Sequence, residues 1–291
     1  MSIFITGACS FVGKELISKC KERQIEYAGV DLAVPREGEY LTGDITSKDI
    51  SDLIPEKADA LVHLAAISRD SDCKDNAYEC FRVNVQGTLN LIDASRKRKV
   101  NQFIFASTEW VYGAFAENEI KNEETPIDIS SITSEYALSK LVSEANIRQT
   151  CQHGFCHATI LRFGIIYGPR SSNWSAVESV FSSVKNKEEI SIGSLKTARC
   201  FIHVSDIASG IISSIGLSGL SIINVQGDKP ISLNEIIVAG KKILKRNPRI
   251  IETNPGNPSI RQVSNEKAKR LLKWKPEINL ETGLKTLINF I

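Results

Sequence analysis

Long apolar runs, an excess of one charge and an even set of cysteines are all missing from this 291-residue chain. No stretch approaches the roughly 18 apolar residues of a membrane span, and the N-terminus lacks a charged region and a cleavage site. The 36 basic and 34 acidic residues nearly balance, which argues against nucleic acid or a membrane surface as the main partner. We therefore expect a cytoplasmic protein.

The seven cysteines are scattered and odd in number, which fits reduced thiols better than a disulfide framework. Two of them, Cys151 and Cys156, lie with His153 and His157 in the segment CQHGFCH. Their spacing matches no common zinc pattern, and a loop between a helix and a strand explains the cluster. No metal site is predicted.

The first 21 residues read as a buried strand (2–6), a glycine turn (GACSFVG) and a helix, as in the first βα unit of a dinucleotide-binding fold. Gly7 and the helix N-terminus present N–H groups to a pyrophosphate. Ser10 stands where such turns have their middle glycine, and its side chain could crowd the phosphates. The turn residues predicted to bind the cofactor are Gly7, Ser10, Phe11, Val12 and Gly13.

The next two strands bring acidic residues to the same edge of the predicted sheet. Asp31 ends the second strand, where a carboxylate can accept both ribose hydroxyls of an adenosine and repel a 2′-phosphate. This favours NAD, while Arg36 nearby keeps NADP open as the less favoured cofactor. Asp44 follows a third short strand and either contacts the adenine amino group or caps the next helix.

The segment ALVHLAA at 60–66 is a near-continuous apolar strand that ends in small residues, so a cofactor can approach it closely. His63 within it is expected to be a packed core residue. The helical segment that follows contains Asn84 and Gly87, which weaken a helix unless they serve close packing or a polar contact. Further predicted cofactor contacts are Ile45, Leu64, Ala65 and Ala66.

Tyr136 and Lys140 stand four positions apart in SEYALSK, so they share one face of a helix. A nearby cation lowers the pKa of a phenol, and we expect Lys140 to bring Tyr136 towards neutrality as a proton-transfer group. Upstream, QFIFASTEWVYG places Ser107 and Thr108 at the carboxyl end of a fifth strand, the edge where open parallel sheets bind ligands.

Together these motifs resemble the extended short-chain dehydrogenase/reductase family, in its NAD-dependent nucleotide-sugar epimerase/dehydratase branch, over essentially the whole chain. The resemblance implies Thr108, Tyr136 and Lys140 as catalytic residues. It also implies that Tyr136 and Lys140 contact the cofactor, with Lys140 on the nicotinamide ribose. It implies a substrate-diphosphate contact for Arg199 in RCFIHVSDIASG and for Arg261 near the C-terminus, although a surface ion pair remains the alternative for each. It also implies a homodimer through two helices per subunit, which residues 76–95 and 135–150 could supply.

Two departures from the family pattern bear on the substrate. Sugar dehydratases of the branch have TDEVYG, whereas here Glu109 is followed by Trp110, so dehydration is not expected. Glu109 is either a substrate-facing acid or a solvated carboxylate. Ile165 replaces an asparagine that contacts the sugar diphosphate in many relatives. Ser107, Thr108 and Glu109 complete the predicted substrate contacts.

We predict a Rossmann-type doubly wound parallel α/β sheet with a smaller C-terminal substrate-binding domain. Residues 1–165, with a returning segment near 201–226, form the NAD-binding domain, and residues 166–291 mainly bind a nucleotide-diphosphate sugar. A mobile lid is expected over 171–198. The expected activity is a nucleotide-sugar 4-epimerase acting through a 4-keto intermediate. An NAD(P)H-dependent 4-keto-sugar reductase is the alternative, and a dehydratase or a non-catalytic nucleotide-binding protein is less favoured.

Overall fold

A computed structural model describes residues 1–33 and 40–291. The strands in chain order are β1 Ser2–Thr6, β2 Glu26–Asp31, β3 Leu41–Thr42, β4 Ala60–His63, β5 Gln102–Thr108, β6 Ile120–Lys121, β7 His157–Phe163, β8 Ile166–Tyr167, β9 Glu189–Ile192, β10 Ala198–Arg199, β11 Ile202–His203, β12 Leu220–Val225, β13 Ile231–Ser232, β14 Arg249–Glu252 and β15 Ile260–Val263.

The helices are α1 Phe11–Glu22, α2 Ile50–Leu53, α3 Asp70–Cys73, α4 Ala77–Phe81, α5 Gly87–Lys97, α6 Glu135–Gln152, α7 Ala176–Asn186, α8 Val204–Ser213, α9 Leu233–Leu244, α10 Glu266–Leu272 and α11 Leu280–Thr286. Single 3₁₀ turns lie at Glu109–Tyr112 and Ile129–Ser131, and a π-helical turn at Arg82–Gln86 joins α4 to α5.

Seven strands between Ser2 and Val225 form one sheet in the order β12-β7-β5-β4-β1-β2-β3. The neighbouring pairs from β3 to β5 are parallel, with Ile5 opposite both Gly29 and Val62. Because β1 and β4 are completely buried apart from Ser2, the apolar runs read from the sequence are central strands. The predicted doubly wound α/β sheet is confirmed.

The chain divides into two compact units. Unit 1 comprises residues 1–114, 123–162 and 208–223, and its core centres on Phe4, Leu61 and Phe103. Unit 2 comprises 115–122, 163–207 and 224–291. Its core includes Phe181 of α7, which is fully buried, so the prediction of a mobile lid over 171–198 is wrong for this helix.

Within the described ranges, the helices include none that combines the length and the apolar character needed to cross a membrane. All seven cysteines are free thiols. Across residues 1–33 and 40–291, no three His, Cys, Asp or Glu side chains are grouped so that they could hold a metal ion.

Candidate active site

The turn between β1 and α1 has the backbone that a phosphate cradle needs. Gly7 has a φ of +72°, and a Cβ added there would lie 2.7 Å from the Ala65 amide nitrogen. A Cβ on Gly13 would lie 2.2 Å from the Gly7 carbonyl oxygen. The Ser10 hydroxyl accepts a hydrogen bond from the Gly13 amide at 3.0 Å and caps α1, so it is directed into the turn.

A cavity of about 500 Å³ in unit 1 opens beside this turn. Asp31 at the end of β2 forms part of its wall, and its two oxygens accept hydrogen bonds from the Cys9 and Leu32 amides at 2.8 Å each. The cavity is lined by most of the predicted cofactor residues, namely Gly7, Ser10, Asp31, Asp44, Ile45, Leu64, Ala65 and Ala66. Phe11, Val12 and Gly13 form the first turn of α1. Arg36 lies outside the described residues.

Asp44 belongs to a chain of polar side chains along the same cavity. Its Oδ1 accepts from both the amide and the hydroxyl of Thr46 at 2.8 Å, and Thr46 Oγ1 accepts from Arg82 at 2.8 Å. Arg82 is held by a two-pronged contact with Glu79 at 2.6 and 2.7 Å. Since α2 begins at Ile50, the alternative that Asp44 caps it is wrong. Sequence reasoning missed Glu79, Thr46 and Arg82.

The cavity fits the adenosine diphosphate part of a dinucleotide. A glycine turn whose Cβ positions are blocked by backbone, a helix N-terminus and a carboxylate at the end of the second strand are the three features that such a ligand requires. The residues therefore suit NAD, whose free ribose hydroxyls can donate to Asp31.

Replacing Asp31 tests this assignment. In Asp31→Ala we expect the Kd for NAD to rise at least about tenfold, because the hydrogen bonds from the two ribose hydroxyls to a charged acceptor are lost. The Kd for NADP should change little or fall, because repulsion of the 2′-phosphate disappears. Titration calorimetry with both dinucleotides measures the ratio, and Asp52→Ala, which alters an exposed carboxylate on the surface of the same unit, is the control. An unchanged preference for NAD would contradict the role given to Asp31.

Three predicted catalytic side chains come together in unit 1. Thr108 ends β5, and its hydroxyl lies near the phenol of Tyr136 in the first turn of α6, where it lowers the pKa of that phenol. Lys140, one turn further along α6, is buried; its Nζ donates to the Ala106 carbonyl at 2.8 Å and lies 6.0 Å from the centroid of the Tyr136 ring. The backbone carbonyl thus fixes the ammonium group beside the phenol.

The electrostatics differ from the expectation drawn from the sequence. Burial raises the pKa of Tyr136 well above its ordinary value, and the nearby Thr108 hydroxyl only partly offsets this. Burial also lowers the pKa of Lys140 to about 8, against the opposing effect of neighbouring Cys80, Cys73 and Glu144. The prediction that Lys140 alone brings Tyr136 towards neutrality is wrong, because the ammonium donates to Ala106 and desolvation dominates at the phenol.

Ser107 and Glu109 flank Thr108 and are both buried. The Ser107 hydroxyl donates to Glu144, a contact that favours an internal role over direct contact with a substrate. Glu109 is only 1% exposed, so the alternative of a solvated carboxylate is wrong. The Trp110 side chain that follows is 38% exposed.

Asn84 is a polar anchor whose function the sequence did not reveal. In the π-helical turn its Nδ2 donates to the Ile67 carbonyl at 2.9 Å and to Ser139 Oγ at 3.0 Å, and its Oδ1 accepts from the Ile67 amide at 2.8 Å. It thereby ties the loop after β4 to α6 beside Tyr136. The available signal was an asparagine within a helical segment, followed three residues later by Gly87, where a Cβ would lie 2.7 Å from Ile45.

His63 lies in the core of unit 1, as expected. Its ring nitrogens contact the hydroxyls of Thr6 at 2.8 Å and Thr88 at 3.1 Å, and burial together with Lys140 lowers its pKa well below the usual value.

The two predicted diphosphate ligands are neighbours in unit 2. Arg199 of β10 is the register partner of Arg261 of β15. The Arg199 guanidinium donates to the carbonyl and hydroxyl oxygens of Ser259 at 2.6 and 3.0 Å. Arg261 lies 4.8 Å from the centroid of the Phe115 ring, and Lys121 lies 4.7 Å from the same centroid. Ile165 packs against the apolar core of this unit.

The fold and the cavity beside the glycine turn define a class: a dinucleotide-dependent α/β enzyme. The sequence profile described as the NAD dependent epimerase/dehydratase family matches residues 3–219. The chain therefore belongs to the NAD-dependent epimerase/dehydratase family, and is an NAD-dependent enzyme of the extended short-chain dehydrogenase/reductase type.

Individual relatives carry different activities. A UDP-glucuronate 4-epimerase of Thermodesulfobacterium geofontis is 29% identical over 238 residues, covering 79% of this chain and 72% of that protein. UDP-glucuronic acid decarboxylase 6 of Arabidopsis thaliana is 24% identical over 305 residues, covering 98% and 87%. The UDP-glucose 4-epimerase of Thermus thermophilus, solved with NAD, matches with a TM-score of 0.84 at 22% identity, over 100% of this chain and 98% of that one.

Proposed function

We propose that this protein is a nucleotide-sugar 4-epimerase that uses tightly held NAD. The observation that carries the proposal is the arrangement at the carboxyl end of β5. There the Thr108 side chain lies near the Tyr136 phenol, and the Lys140 ammonium, held by the Ala106 carbonyl, lies 6.0 Å from the centroid of the Tyr136 ring. Such a group can remove a proton from a secondary alcohol and return it later. Bound NAD supplies the two-electron acceptor and donor that this chemistry needs.

In the proposed reaction, the Tyr136 phenolate takes the proton from the C4 hydroxyl of the sugar while Thr108 donates a hydrogen bond to the same oxygen. With the C4 hydride passing to bound NAD, the sugar would become a 4-keto compound. It would then turn and take the hydride back on its other face while Tyr136 returns the proton. The Lys140 ammonium stabilises the phenolate. Because burial raises the pKa of Tyr136, the phenolate needs stabilisation beyond that from Lys140, and a bound oxidised nicotinamide would supply positive charge for it.

For the nucleotide diphosphate we propose Arg199 and Arg261 as ligands. Two guanidinium groups on paired strands suit bidentate recognition of a diphosphate. The relatives named above act on UDP-sugars, which makes a UDP-sugar the first substrate class to test. Dehydration is disfavoured because Trp110 follows Glu109, so no second carboxylate is available there to remove a proton from C5.

The activity test uses the purified chain with NAD and, separately, UDP-glucose, UDP-glucuronate and UDP-N-acetylglucosamine. We expect one substrate and its C4 epimer to reach equilibrium, with no net change in nicotinamide absorbance because NAD is regenerated in each cycle. Sustained oxidation of NADH in the presence of a 4-keto sugar would assign the reductase instead. Release of carbon dioxide from the glucuronate would assign a decarboxylase.

We further propose that the protein is cytoplasmic and acts as a homodimer. The helical segments 76–95 and 135–150 would supply the interface. Tyr78 is 82% exposed and Leu89 is 40% exposed on the first of these segments, which supports a covered surface in solution.

A further inference from the structure

A buried ion pair near the end of β5, formed by Glu144 and Arg162, has no part in the proposed reaction. Glu144 of α6 is 1% exposed and Arg162 of β7 is 2% exposed. Arg162 donates through Nε to Glu144 Oε1 at 3.0 Å and through Nη2 to Oε2 at 2.6 Å. Its guanidinium carbon also lies 4.9 Å from the centroid of the Tyr112 ring.

Such a pair is weak evidence for stability, because desolvating two charges offsets most of their attraction. Its contacts instead point towards the catalytic centre. Glu144 Oε1 also accepts a hydrogen bond from the hydroxyl of Ser107, the residue that immediately precedes Thr108. One turn earlier on the same helix, Lys140 donates to the carbonyl of Ala106.

Helix α6 is therefore fastened to the end of β5 at two successive residues, 106 and 107. The next residue of the strand is Thr108, whose side chain lies near Tyr136 on the same helix. If the strand end shifted relative to the helix, Thr108 would move away from Tyr136, and misplacement of a catalytic group by about 1 Å can cost about 100-fold in rate.

We propose that Glu144, oriented by Arg162, is a positioning residue that holds the strand end through Ser107 and so keeps Thr108 against Tyr136. This proposal depends on the proposed function only where it is tested by enzyme kinetics. Glu144 has a second effect, through its negative charge on Lys140.

The groups that face Lys140 are Tyr136 and Glu144 of its own helix, Cys73 of α3, Cys80 of α4 and His63 of β4. The carboxylate of Glu144 favours the protonated form of Lys140. Removing this charge lowers the pKa of Lys140, so Lys140 becomes neutral at a lower pH. If activity requires the ammonium, the alkaline limb of the pH profile must move to lower pH.

Three variants separate these effects. Ser107→Ala removes only the anchoring hydroxyl. Glu144→Leu/Arg162→Met removes both charges together and avoids leaving one buried and unpaired. Thr159→Val is the matched control, because it removes a buried hydrogen bond from Gln102 of β5 to β7, at 2.9 Å, at the other end of the same two strands.

We expect Ser107→Ala to lower kcat about 5- to 50-fold with KM within about twofold and the pH limb unmoved. The double variant should lower kcat at least as much and move the alkaline limb down by about half a pH unit. Hydrogen–deuterium exchange should rise in the peptide covering 103–112 for both, and Thr159→Val should alter neither that exchange nor kcat.

A rise in KM at unchanged kcat in Ser107→Ala would show direct substrate contact and overturn the proposal. If Thr159→Val lost as much kcat as Ser107→Ala, the Glu144–Arg162 pair would have only a structural role, and the proposal would also be overturned. If the unmodified protein turns over none of the nucleotide sugars, the proposed function fails separately. In that case the exchange measurement alone decides: increased exchange in Ser107→Ala supports the anchor, and unchanged exchange overturns it. If the double variant does not fold, Ser107→Ala decides in the same way.

Discussion

Tyr136→Phe should retain NAD and nucleotide-sugar binding but lose about 10²- to 10⁴-fold in kcat, the usual contribution of a positioned proton-transfer group. The substitution removes one oxygen and leaves the ring that packs at the start of α6. KM should change by no more than about threefold, because the lost interaction acts in the transition state rather than in the bound substrate. Steady-state kinetics on the substrate identified by the epimer assay, with dinucleotide binding measured by fluorescence, gives both numbers.

A matched control is Tyr27→Phe. Tyr27 lies on β2 of the same unit, its side chain is partly exposed, and it has no assigned role in the site. We expect wild-type kcat for this variant. Full activity in Tyr136→Phe would mean that the phenol does not move the proton, and the epimerase and the reductase assignments would then both fail.

The sheet was predictable because its determinants are local. Buried parallel strands are short apolar runs that end at glycine or polar residues, and β1 and β4 have this form. Helix starts were equally accessible: the sequence SLNE at 232–235 encodes a capping box, and Ser232 and Glu235 form one at the start of α9. In each case the residues that specify the feature are neighbours in the chain.

The parts of the site that escaped prediction depend on contacts between distant residues. Glu144 and Arg162 are 18 positions apart, and only the packing of α6 on the sheet shows that one accepts from the other. The prediction that Lys140 brings the pKa of Tyr136 towards neutrality failed for the same reason. Spacing places both residues on one helix face, but burial and the carbonyl of Ala106 determine the pKa and the direction of the ammonium group.

Signals for some of these contacts were nevertheless present. An arginine within the apolar segment ATILRFG has to be paired if the strand is central, because an unpaired buried charge is too costly. A glutamate four residues after Lys140 lies on the same helix face and is a natural partner. What the sequence could not supply is the third member, Ser107, which links the pair to the catalytic strand end.

Gly13→Ala should abolish dinucleotide binding at working concentrations, with a rise in Kd of at least about 100-fold. The added methyl group would lie 2.2 Å from the Gly7 carbonyl oxygen and 2.7 Å from that of Ala8, both of which are backbone atoms. No side chain can move aside, so the turn itself must shift away from α1. A loss of this size corresponds to about 2.8 kcal/mol of binding free energy.

Gly256→Ala is the control, because a Cβ there meets nothing within 4 Å. A glycine replaced by alanine at a compatible site is expected to stabilise the fold by about 0.4–1 kcal/mol through the unfolded chain. Thermal unfolding with and without NAD distinguishes the two outcomes. The Tm of Gly256→Ala should rise with NAD as much as that of the unmodified protein. The Tm of Gly13→Ala should not rise with NAD, although this variant should still unfold cooperatively. If Gly13→Ala kept a normal increase in Tm with NAD, the glycine turn would not be the phosphate cradle, and the cofactor would have to bind through other residues.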